Sequence, residues 1–136
     1  MKIIKPESHR HCIVCSESNL NPMSLKMQFI RHDNTRVSAK IKLGESYQGY
    51  ENQLHGGIIS TLVDGAMTQC LFAQNIQAMT AELTVRFIRP VPINQTLLVD
   101  ASILSERRGM QKLVSHIYCN GNELVRANAK FLIVKM

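Results

Sequence analysis

Apolar positions along this chain follow two rhythms, and the switch between them outlines the fold. Residues 1 to about 22 show neither rhythm and end in the turn-like run Asn19-Leu20-Asn21-Pro22. Leu25, Met27 and Phe29 then alternate with Lys26 and Gln28, a period of two that predicts a half-buried strand over 25–29. After a turn at Asp33-Asn34, Val37, Ala39, Ile41 and Leu43 alternate with Arg36, Ser38, Lys40 and Lys42. That predicts a second strand in hairpin relation to the first. A loop over 44–56 carries Gly44, Gly49 and Gly56.

From Gly57 the spacing is helical: Ile58, Ile59, Leu62, Val63, Ala66, Met67, Cys70 and Leu71 form a broad apolar stripe. Thr61, Asp64 and Thr68, three and four residues apart, share the opposite, polar edge. Gly65 inside this helix costs about 1 kcal/mol relative to Ala, so it marks either close packing or a tolerated weak position. Period two then returns in four runs, through Leu83–Phe87, Leu97–Ile103, Leu113–Cys119 and Val125–Ile133. Turns at Arg107-Arg108-Gly109 and Asn120-Gly121-Asn122 separate the last three.

Two strands, one apolar helix and four strands predict an α+β domain. About six antiparallel strands curl around a helix on their concave face. There is no repeat and no second domain, so the organisation is an N-terminal arm, 1–22, and a single domain, 23–136.

A length of 136 residues suits one core. Sixteen basic against ten acidic residues leave a charge of +6, which favours an anionic partner, with a merely solvated surface as the plain alternative. Three Tyr, four Phe, no Trp and no dense basic run argue against nucleic acid. A phosphate-bearing small molecule such as coenzyme A would use the same charge. No run approaches the ~18 apolar residues of a membrane span, and the N-terminus turns polar after two apolar residues, so a cytoplasmic location is expected. Cys70 and Cys119 read as small buried hydrophobes. Cys12 and Cys15 form a CxxC just after His9 and His11. That crowding departs from finger spacing and no second CxxC follows, so a reduced structural pair is the expectation, with no metal and no cofactor.

Chemistry points to the start of the helix. Its first turn offers unpaired N–H groups and a partial positive charge, and the glycines of His55-Gly56-Gly57 allow close approach. Such an end can polarise a carbonyl and hold an oxyanion. Asp64 lies about 10 Å further along by helical rise, so a site using both needs the carboxylate of a second chain. The bland alternative is a tight turn and a solvated acid.

The run HGGIISTLVDGAM, residues 55–67, resembles the signature of hotdog-fold acyl-CoA thioesterases of the phenylacetate-pathway (PaaI-like) type, with Asp64 nine positions after His55. Residues 80–91, TAELTVRFIRPV, resemble the family's strand after the helix. The CIVC of 12–15 followed by NPMSLK resembles the N-terminal arm of some members. The likeness covers about residues 12–134. It implies a hydrolase of acyl-CoA thioesters working as a homodimer or homotetramer, without nucleic acid or membrane. By that resemblance the Gly57 N–H polarises the thioester carbonyl and His55, with Gly56, orients it. Asp64 of the neighbouring subunit attacks or activates water, and Thr68 and Thr80 position that water.

Two departures stand out. Relatives often carry Asp-Glu where this chain has Asp64-Gly65, and Gln or Asn where it has Gly49, leaving Gln48 or Asn52 as substitutes. Arg89, Arg107, Arg108 and Lys112, at strand ends and turns, are candidates for the coenzyme A phosphates. His32 and His116 read as structural. The rival functions are a hotdog dehydratase and a silent acyl-CoA-binding protein of the same fold.

Overall fold

The computed structural model describes residues 3–133. The ends of the expected arm and domain, 1–2 and 134–136, lie outside the described residues, as does the last position of the family likeness.

One α-helix, α1 (Gly56–Phe72), packs against a six-stranded antiparallel sheet. Its strands are β1 (Ile30–Arg31), β2 (Arg36–Lys42), β3 (Ala78–Phe87), β4 (Thr96–Arg107), β5 (Met110–Cys119) and β6 (Asn122–Ile133). They lie in the order β1-β2-β4-β5-β6-β3, a curved sheet left unclosed, so β1 and β3 are its edges. The period-two positions lie where the alternation placed them. Val37, Val99, Ala101, Ile117, Val125, Ala127 and Phe131 are buried to the last per cent, on the side of Leu62, Val63, Ala66, Met67 and Cys70. Hairpins β4–β5 and β5–β6 close with paired left-handed residues, Arg108-Gly109 and Asn120-Gly121, the backbone of the tight turn that matches strand twist. Asn75, at φ 58°, turns the chain out of α1.

The first strand differs from its expectation. The ladder with β2 is confined to Ile30 and Arg31, while 25–29 is not in the sheet. Its alternation is nevertheless real, because Met27 and Phe29 are buried and Lys26 and Gln28 exposed. The partner is the N-terminal arm: the amides of Leu25 and Met27 donate to the carbonyls of Ile13 (2.7 Å) and Val14 (2.9 Å). Period two reports a half-buried extended segment and is blind to which backbone pairs with it.

The arm is part of the core. Ile3, Val14 and Cys15 join the same apolar cluster as the helix. This decides the meaning of Gly65. A Cβ there would lie 2.8 and 2.9 Å from the two methyl carbons of Val14, so the glycine exists to let the arm approach α1.

Candidate active site

His55 caps α1. Its backbone is extended (φ −63°, ψ 139°), its amide donates to the Tyr47 carbonyl (2.9 Å), and its Nδ1 accepts the Gly57 N–H at 2.9 Å. This contact uses Nδ1 as the acceptor and leaves Nε2 as the outer ring nitrogen. The Gly57 N–H is therefore engaged by the histidine side chain. Gly49 lies against this histidine: a Cβ on it would come within 3.3 Å of the His55 ring and backbone. Gly49 thus serves packing here. Of the two substitutes, Gln48 spends its side-chain carbonyl on the Asn52 N–H (3.1 Å), and Asn52 holds a left-handed turn at φ 65°.

The polar edge of α1 forms as its spacing predicts. Thr61 Oγ1 donates back to the Gly57 carbonyl (2.9 Å), and Thr68 Oγ1 to the Asp64 carbonyl (3.0 Å). Among the described residues only Thr80 reaches the Asp64 carboxylate, its hydroxyl donating to Oδ1 at 2.6 Å. The proton of Thr68 thus serves the helix backbone, while that of Thr80 orients the acid.

Thr80 arrives by way of a bulge. Leu83, Val85 and Phe87 of β3 face α1, and counting back by twos would send Thr80 to the opposite face. The register instead shifts between Thr80 and Glu82, where Lys130 pairs with Glu82 and the next residue of β6, Phe131, pairs with Thr80. Phe131 is an inward residue, so Thr80 turns inward with it. Sequence reading cannot see this step, because a bulge changes pairing without changing composition.

Beside the helix start is a cavity of about 310 Å³, lined by Gly56, Leu54, Ile59, Phe87, Arg89 and their neighbours. Arg89 therefore belongs to the start of α1. Arg107 and Arg108 do not: they occupy the β4–β5 turn, with Lys112 beside it, at the opposite end of the sheet. The expected basic cluster is split within one chain, because β3 and β6 run the length of the sheet between its two parts.

Other ionisable groups lie elsewhere. Asp100 is buried on the sheet face away from α1, accepting from the His116 ring (2.9 Å) and amide (3.1 Å), with Arg36 at 3.8 Å. His32 pairs with Ser38 on the same sheet. All four cysteines are free, and burial pushes the Cys70 thiol up to about 12, which makes it inert. In the arm, the ligating atoms of His9, Cys12 and Cys15 lie within 4.8 Å of one another, and His11 is not among them. Hydrogen bonding with Cys15 draws the Cys12 thiol well below its ordinary value, and the same contact raises Cys15. Among the described residues no helix is long and apolar enough to cross a membrane.

Comparison with known proteins agrees with this architecture. The chain is 27% identical over 109 residues to the acyl-coenzyme A thioesterase THEM4 of Rattus norvegicus, an alignment covering 79% of this chain and 46% of that protein. It thus spans less than half the length of this curated relative. The E. coli PaaI protein from the phenylacetic acid degradation operon superposes with a TM-score of 0.75 at 18% identity, over 79% of this chain and 83% of PaaI. A Streptococcus mutans UA159 protein solved with acetyl CoA superposes with a TM-score of 0.74 at 16% identity, over 79% and 88% of the two chains. Both likenesses concern the fold, which is the hotdog fold. The model of the Thioesterase superfamily matches residues 51–125, more than half of the 136, from the loop before His55 to the start of β6. The chain belongs to the Thioesterase superfamily.

Proposed function

We propose that this chain hydrolyses acyl-CoA thioesters, with Asp64 as the attacking carboxylate or the base that activates water. One observation carries the reading: Asp64 is oriented by the Thr80 hydroxyl at 2.6 Å, on the flank of α1 that carries no apolar cover. Its spacing from the capped helix start is that of the family signature. A nucleophile or base needs an oriented lone pair and an open approach, and Asp64 has both.

The Gly57 N–H, once His55 turns away, is the donor for the thioester oxygen, and the freed imidazole helps to orient the acyl end. Asp64 then either adds to the carbonyl carbon, expelling the CoA thiolate and leaving an anhydride for water to cleave, or takes a proton from the attacking water. Thr80 keeps one carboxylate oxygen hydrogen-bonded throughout. Thr68 contributes through its hydroxyl lone pairs, its proton being committed to the helix.

Gly57 and Asp64 are seven residues apart, about 10 Å of rise, whereas one reacting carbonyl needs both within about 3 Å. The active unit is therefore at least a homodimer, each site combining the helix start of one subunit with the Asp64 of the other. The edge position of β3 supports this. Among the described residues its ten residues present an outer backbone ladder with no partner strand, and the exposed Met79 and Phe87 lie on it, with exposed Leu132 and Ile133 on the adjoining β6. An antiparallel junction of two β3 edges also brings the Arg89 end of one chain to the β4–β5 hairpin end of the other. The divided basic residues then meet around one coenzyme A, the ligand that the S. mutans neighbour binds as acetyl CoA.

The test is a panel of acyl-CoAs with detection of released thiol, followed by subunit mixing. Asp64→Ala chains are combined with Gly57→Pro chains, which lack the donor N–H. Activity should return in mixed dimers confirmed by native mass spectrometry. Failure to return, with both variants folded, rejects shared sites. Tight binding of acyl-CoA without thiol release identifies a silent binding protein.

A further inference from the structure

Spacing alone argued for a reduced Cys12–Cys15 pair; the fold adds what spacing lacked. The segment His9–Ser16 is wound by its own backbone, with the Cys12 amide on the His9 carbonyl (3.2 Å) and the Ser16 amide on the Cys12 carbonyl (3.0 Å). This winding gathers the His9 ring and both sulfurs to within 4.8 Å of one another. Each sulfur also accepts an N–H: Cys12 Sγ from the Val14 amide (3.3 Å), and the buried Cys15 Sγ from Gln69 Nε2 of α1 (3.1 Å). Donors aimed at sulfur are what a thiolate requires. The His9 ring is held in turn by an edge contact with Phe72 of α1, centroids 4.7 Å apart.

We propose that His9, Cys12 and Cys15 form a binding site for one soft divalent cation of the zinc class, which fastens the arm to α1. In a tetrahedral zinc site with bonds of about 2.0–2.3 Å, neighbouring ligand atoms are about 3.5–3.8 Å apart. The three side chains thus need to close by at most about 1.3 Å. Binding releases the two thiol protons to solvent and leaves the site neutral, so Lys5, whose ammonium bonds the Cys15 carbonyl at 2.9 Å, does not oppose it. Water takes the fourth corner, and it has an approach because Cys15 lines a cavity of about 1060 Å³ under the arm. The Val14 and Gln69 N–H groups are the outer contacts that hold metal-bound thiolates in place. The cation would sit behind the helix that carries Asp64, since Gln69 follows that residue by five.

The experiment uses the full chain, reduced and freed of metal by a chelator, then titrated with Co²⁺ and afterwards with Zn²⁺. The expected result is one equivalent per chain, a thiolate-to-cobalt charge-transfer band that Zn²⁺ bleaches, and a melting temperature raised by Zn²⁺. Cys12→Ser and Cys15→Ser should each abolish the band, and Cys70→Ser should keep it. Gln69→Met should weaken affinity about 10- to 100-fold. If the serine variants fail to fold, differential alkylation of the unmodified chain decides: Zn²⁺ must protect Cys12 and Cys15. No band at stoichiometric cobalt, a band that survives Cys12→Ser, or alkylation indifferent to Zn²⁺ overturns the site. None of these readouts depends on hydrolytic activity, so failure here leaves the thioesterase reading standing, and the reverse also holds.

Discussion

The two flanks of α1 that do not face the sheet are finished in opposite ways. One carries Gly65, Gln69 and Phe72 and is closed by the chain's own arm: Val14 fits the space of a missing Cβ, Cys15 takes the Gln69 amide, and His9 abuts Phe72. The other carries Gly57, Thr61, Asp64 and Thr68, and among the described residues its one side-chain hydrogen-bond partner from another element is Thr80. A helix this apolar must be covered nearly all round, and where the chain supplies its own cover the fit is steric and complete. Where it does not, the residues are polar and their hydrogen-bonding capacity is only partly spent. The difference separates a flank closed by packing from the flank to which the proposed chemistry is assigned.

Changes on the open flank should therefore alter turnover, and changes on the closed flank should alter stability. The largest expected effect is that of Asp64→Asn, a loss of at least ~100-fold in turnover with the circular dichroism spectrum and dimer retained, since the amide is neither nucleophile nor base. Near-normal rates in a folded sample would remove Asp64 from the reaction. On the closed flank, Gly65→Ala should cost about 1–2 kcal/mol, the clash with Val14 outweighing the better helix propensity. Urea midpoints of that variant, of Val14→Ala and of the double variant should reveal a coupling of at least ~0.5 kcal/mol. Thr80→Val should lower turnover about tenfold, the smaller end of what a hydrogen bond to a charged group is worth. Thr68→Val, which loses only a bond to its own helix, should cost less than about threefold, and an equal loss in both would erase the distinction drawn between the two hydroxyls. The smallest effect belongs to salt. It should raise KM for acyl-CoA a few-fold more than for an acyl-pantetheine lacking the adenosine phosphates.

What the sequence made legible follows from local periodicity. The polar edge of α1 could be read because three- and four-residue spacing fixes a face whatever surrounds the helix, and five of the six strands could be read because their inward residues meet a single core. The remainder depended on pairing. Met27 and Phe29 announced an extended segment but not that the arm would be its neighbour. Thr80 lay on the wrong side of a simple count because of the bulge. Arg89 and Arg107 looked alike as cations at strand ends, and only the sheet order set them at opposite ends. Gly65 left two meanings open until Val14 was placed beside it, and the same contact explains why a second carboxylate after Asp64 finds no room here.

The bulge in β3 has a further consequence for the behaviour of the chain in a crowded solution. An unbroken ten-residue edge is a template on which any extended peptide can grow, the usual route to fibrils. The extra residue at Ala81 interrupts the regular repeat of donors and acceptors between Thr80 and Glu82. Beyond it, 82–87 offers a straight run, so a regular extended peptide can match only part of the edge. The irregularity that turns Thr80 toward Asp64 thereby also makes the edge more selective about the strands it accepts.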